Sequence, residues 1–80
     1  MSSYVNISLD LSLVGCPLLD LRVPTTMTLQ ELLQTVSESY GLGLVFNNPL
    51  ARQGKKGQVL SRFQELTDLR DGDLLVIETL

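Results

Sequence analysis

Histidine and tryptophan are both missing from the 80-residue chain. Without imidazole, nucleophile triads lose their usual base, zinc loses its commonest ligand, and no side chain has an unperturbed pKa near neutrality. A lone cysteine, Cys16, excludes an intramolecular disulfide and a Cys-x-x-Cys metal clip, which points to a reducing compartment. With only six glycines and three prolines, the chain is neither collagen-like nor compositionally disordered. No apolar run approaches the roughly 20 residues of a membrane-spanning helix, and Met1-Ser2-Ser3-Tyr4 lacks the basic n-region of a secretory signal. A soluble, cytoplasmic protein without direct membrane insertion is therefore expected. Six basic residues stand against nine acidic ones, giving a net charge of -3, which disfavours polyanions. The four aromatic residues, Tyr4, Tyr40, Phe46 and Phe63, do not interleave with basic ones, so nucleic acid is not an expected partner.

What is present suffices for one core. The hydrophobic fraction is 44% and the charged fraction 19%, and a domain of this size buries roughly 60% of its unfolded surface. Neither a repeat nor a linker composition interrupts residues 1–80, which are read as a single domain.

From Val5 to Leu13, apolar residues (Val5, Ile7, Leu9, Leu11, Leu13) alternate with polar ones (Asn6, Ser8, Asp10, Ser12), the pattern of a half-buried strand. Gly15-Cys16-Pro17 breaks the run, and alternation resumes at Leu19, Leu21 and Val23 until Pro24, so the first two strands are expected to form a hairpin. Thr28 then stands as an N-cap with Glu31 completing a capping box, while Met27 and Leu32 occupy the positions of a hydrophobic staple. Leu29, Leu32, Leu33, Val36 and Tyr40 form an apolar helical stripe, with Ser37 among the residues facing away and Gly41 at the left-handed C′ position.

Leu44-Val45-Phe46 fits either a strand or a buried turn, and Asn47-Asn48-Pro49 interrupts it. A small hairpin is expected from Leu50 to Arg52, through a turn at Gly54-Lys55-Lys56-Gly57, to Gln58 to Leu60. Leu66 and Leu69 would drop onto the core from a helical or 3₁₀ turn. Asp71-Gly72-Asp73 marks a turn, and the apolar run Leu74-Leu75-Val76-Ile77 reads as a central strand. The order β, β, α, β, β, turn, β predicts an α+β β-grasp (ubiquitin-like) roll: a mixed sheet of four to five strands crossed by one amphipathic helix.

These residues also carry a family resemblance. Val5-Asn6-Ile7-Ser8-Leu9-Asp10-Leu11, Asp20-Leu21-Arg22-Val23-Pro24, Lys56-Gly57-Gln58-Val59-Leu60 and Leu69-Arg70-Asp71-Gly72-Asp73-Leu74-Leu75 together resemble the YukD/EsaB family, small ubiquitin-like proteins of bacterial type VII (WXG100) secretion systems. The resemblance spans nearly the whole chain and is weakest from Asn47 to Ala51. It implies a cytoplasmic, non-enzymatic accessory or regulatory component. The implied partners are the membrane ATPase, other cytoplasmic domains of the machinery, or a regulator, with possible recruitment to the inner face of the cell membrane. Actinobacterial relatives fuse a similar domain to a multi-helix channel; this chain looks like the free-standing form.

Charge location gives the candidate contact residues. Arg52, Lys55, Lys56 and Arg62 fall within eleven positions around the second hairpin and would attract an acidic partner. Five of the nine acidic residues lie in the last sixteen positions, and among them Asp68, Asp71 and Asp73 would face a basic one. Apolar Leu18, Leu50, Val59 and Leu75 turn outwards or inwards according to strand register. Asp71-Gly72-Asp73 lacks the further ligands of a calcium loop, and Gly54 to Gly57 lacks the Walker spacing, so no metal or cofactor is expected. A ubiquitin-like modifier or sulfur carrier is the alternative function. It is disfavoured because the sequence ends Val76-Ile77-Glu78-Thr79-Leu80 rather than in Gly-Gly. Self-association is a third reading, with the basic hairpin of one copy meeting the acidic segment of the next.

Overall fold

The computed structural model describes residues 3–80; Met1 and Ser2, half of the stretch read for a secretory signal, lie outside the described residues. The elements are β1 (Tyr4–Asp10), β2 (Leu19–Pro24), α1 (Leu29–Ser39), β3 (Leu50–Gln53), β4 (Val59–Ser61) and β5 (Asp73–Thr79). They follow the expected order. The five strands form one mixed sheet, β2-β1-β5-β3-β4, in which β1 and β5 run parallel and the other neighbours antiparallel. With α1 packed across it, the sheet makes the α+β β-grasp arrangement, and the last strand lies at its centre.

Strand alternation decides what the helix covers. Val5, Ile7 and Leu9 of β1, Ala51 of β3, Leu60 of β4, and Leu75 and Ile77 of β5 all point into the core. There they meet Leu29, Leu32, Leu33 and Val36 of α1, with Leu66 and Leu69 closing one end. The two leucines come from a hydrogen-bonded turn, Leu69 N–H to the Leu66 carbonyl at 3.2 Å, rather than from a helix.

The helix start is fully partnered. The Thr28 side chain accepts from the Glu31 N–H (3.2 Å), and the Glu31 carboxylate accepts from the Thr28 N–H (3.0 Å). The N–H groups of Leu29 and Gln30 go to the carbonyls of Gln64 and Arg62, which completes the donors that a helix N-terminus leaves over. At the other end Gly41 takes φ +64°, and the Leu42 N–H returns to the Ser37 carbonyl at 2.9 Å, a Schellman closure.

Three expectations are corrected, and one segment left open is resolved. The first strand stops at Asp10, because the Asp10 carboxylate accepts the Ser12 N–H (2.8 Å) and turns Ser12–Val14 into a 3₁₀ turn; Leu11 stays buried while Leu13 swings outward. Tyr40 is the C-cap of α1 and 53% exposed rather than part of the stripe. Ser37 faces in, not away: its hydroxyl accepts the Leu44 N–H at 2.9 Å and its carbonyl the Leu42 N–H. The segment 42–48 is neither strand nor helix, and it is held by these two bonds and by Arg62 donating to the Asn47 carbonyl (2.9 Å).

Candidate functional site: the open face of the sheet

With α1 on one face, the alternate residues of the same strands form the other. On β1 these are Tyr4, Asn6, Ser8 and Asp10, on β2 Asp20 and Arg22, on β5 Leu74, Val76 and Glu78, on β3 Arg52, and on β4 Val59. The register sets Asp10, Val76, Arg52 and Val59 side by side across four strands. Val76 is half-buried and Val59 44% exposed. Leu74 lies beside Gly54, where an added Cβ would come within 3.3 Å of the leucine side chain, so the glycine lets the hairpin backbone close over it. The result is a polar face with apolar positions at Leu74 and Val76 on β5 and, beyond Arg52, at Val59 on β4.

The four expected cations do not make one patch. Arg52 lies on the open face, where its Nε donates to Glu78 Oε1 at 2.7 Å and its Nη1 to the Gly57 carbonyl at 3.0 Å. It belongs to the only ion pair among the described residues. Arg62 lies on the helix side, beside Gln34, Glu38 and Phe46, and its guanidinium stacks on the Phe63 ring at 4.4 Å. Lys55 and Lys56 occupy the exposed tip of the β3–β4 turn and are the two cations of the set without a hydrogen-bond partner among the described residues.

The acidic set divides as well. Asp73 is buried, its Oδ2 accepting from the side chain of buried Gln53 (2.6 Å) and from the Arg70 N–H (2.8 Å), so it holds the entry to β5 and presents nothing to a partner. Asp71 accepts the Asn6 N–H at 2.8 Å and its side-chain amide at 3.3 Å, which pins the turn to β1 while Gly72 takes φ +88°. Asp68 is exposed. Asp10 is held below its ordinary pKa through hydrogen bonds from the Ser12 N–H and the Ser12 hydroxyl, opposed by slight desolvation.

Of the apolar candidates, Leu18 (58% exposed) and Val59 face outwards, Leu50 is half-buried beside a register shift, and Leu75 is fully buried. Register thus puts Leu75 in the core, and Leu74 and Val76 are the apolar residues of β5 on the open face. A continuous apolar run hides its own period, and the following Glu78 was the available signal for the phase of β5. Gln53 was also missed as a buried residue, although it shares the alternation of Ala51.

Cys16 is half-buried, and with Pro17, Leu19, Tyr40 and Leu42 it lines a small apolar hollow beside β2. No group of three or more His, Cys, Asp or Glu side chains among the described residues is placed to hold a metal ion. No helix among them is long and apolar enough to cross a membrane. No protein-family model and no curated protein matches the chain.

Proposed function

We propose that this chain is a non-enzymatic accessory or regulatory component of a bacterial type VII secretion system, acting in the cytoplasm by contact with the inner side of the machinery. The system is inferred from the resemblance of its four segments to the YukD/EsaB family, and the β-grasp fold agrees with that resemblance. The observation that carries the contact role is the open face: Val76 of the central strand β5 and Val59 of the edge strand β4, aligned with Arg52 and Asp10. A partner that buries the two valines and offers donors to Glu78 and Asp10 at the rim would gain apolar area at its centre and register from the charges. Lys55 and Lys56 at the hairpin tip would then steer an acidic segment of that partner.

The test is titration calorimetry with the purified cytoplasmic domains of the secretion ATPase and of the other machinery components, taken one by one. Saturable binding to one of them, without turnover, is expected. Failure of every domain to bind overturns the reading. Recovery from cells of a thiocarboxylate, an adenylate or an isopeptide-linked adduct of this protein would replace it with a carrier or modifier role.

A further inference from the structure

The sheet has a free edge with an unusual symmetry. The main-chain groups of Asn6 are spent toward β5 and its turn, the N–H on Asp71 and the carbonyl on the Gly72 N–H. Main-chain direction alternates along a strand, so Val5, Ile7 and Leu9 turn theirs to β2, where they meet Val23, Leu21 and Leu19. The intervening residues of β2, Asp20 and Arg22, therefore direct their N–H and C=O groups away from the sheet, along its outer edge. Pro17 and Pro24 bracket this short edge. Their side chains stand on the open face, Asp20 accepting from the Ser8 hydroxyl (2.8 Å) and Arg22 lying over the Tyr4 ring at 5.4 Å. On the helix face Leu19 and Leu21 remain half-buried beside a groove of about 310 Å³ lined by Val23, Met27, Val36 and Tyr40.

We propose that this edge pairs with the same edge of a second copy, β2 against β2 antiparallel about a twofold axis at Leu21. Only residues that both face the edge can exchange hydrogen bonds, which limits the possible registers. Centring on Asp20 sets Asp20 against its own copy, and centring on Arg22 sets arginine against arginine. Centring on Leu21 puts Asp20 of each copy opposite Arg22 of the other, so both charge pairs are of opposite sign. The same register places Leu21 against Leu21 and Leu19 against Val23 on the helix face, covering apolar surface that the monomer leaves half-exposed. The contact is isologous and closes as a dimer, joining two five-stranded sheets into one. It is independent of the secretion reading, and it leaves Val76 and Val59, two and four strands away from this edge, free on each copy.

Sedimentation equilibrium over roughly 10–500 μM, where weak homodimers are read, tests it. The wild-type chain is expected to dimerise. Asp20→Arg and Arg22→Asp each put like charges opposite one another and should weaken the dimer roughly tenfold or more, while an equimolar mixture of the two variants restores pairing as a heterodimer. A monomeric wild type, a dimer indifferent to both reversals, or a mixture that stays monomeric overturns the proposal. Hydrogen exchange needs no variant: the Asp20 and Arg22 amides should gain protection as wild-type concentration rises, and unchanged exchange at the highest concentration also overturns it.

Discussion

The two faces of the sheet are made from the same strands by alternate residues, yet they do opposite work. On the covered face, Val5, Ile7, Leu9, Leu75 and Ile77 are at most 3% exposed and packed against α1. On the open face, neighbouring Asn6, Ser8, Asp10, Val76 and Glu78 hold polar bonds or half-exposed methyl groups. One residue of displacement along a strand thus separates a position that stabilises the fold from one that is free to meet a partner. The comparison predicts that substitutions will sort by parity rather than by distance along the chain.

The largest effect should come from Leu75→Ala. Its side chain is fully buried at the centre of the sheet, and truncation there should lower stability by about 3 kcal/mol, read as a fall in the urea midpoint at unchanged slope. Asp73→Ala, at the mouth of the same strand, strands the buried Gln53 amide and the Arg70 N–H and should lose about 2 kcal/mol, more than most changes at a charged residue. Thr28→Ala removes half of the capping box that seats the covering helix, for about 1 kcal/mol by the same measurement. By contrast Val76→Thr, on the open face and β-branched like the residue it replaces, should move the midpoint by less than about 0.5 kcal/mol.

The smallest difference concerns pH. Asp10 on the open face has a folded pKa below its ordinary value, so its contribution is complete above the unfolded carboxylate pKa and is lost as pH falls through the folded one. Asp10→Asn should therefore narrow the gap to the wild type in acid unfolding below about pH 4, with the difference persisting unchanged at neutral pH. A variant that instead lost stability only above neutrality would carry the wrong sign for this hydrogen bond.

The covered face and the helix were legible in the sequence because their signals are local. Within Met27 to Leu32 the cap, box and staple signals agree, and the capping box is made within a turn of chain. Segment 42–48 was not legible, since its backbone is satisfied by remote groups: Ser37 behind it, Arg62 ahead of it, and Thr79 and Leu80 donating to and accepting from Asn48. The open face was half legible. Alternation placed Asn6, Ser8 and Asp10 correctly, but the unbroken run Leu74 to Ile77 concealed which of its residues face out. Charge clustering in sequence misled for a similar reason, because Arg52 and Arg62 leave the β3–β4 hairpin on opposite sides of the sheet and Asp73 turns inward to Gln53.

The most direct test is titration of a machinery domain that binds the wild-type chain with the double variant Val59→Thr/Val76→Thr. The account predicts an unfolding midpoint close to that of the wild type together with a loss of affinity of roughly tenfold or more, as expected when the apolar centre of an interface is made polar. Undiminished affinity in a folded double variant would contradict it, since the open face would then not be the surface through which this protein acts.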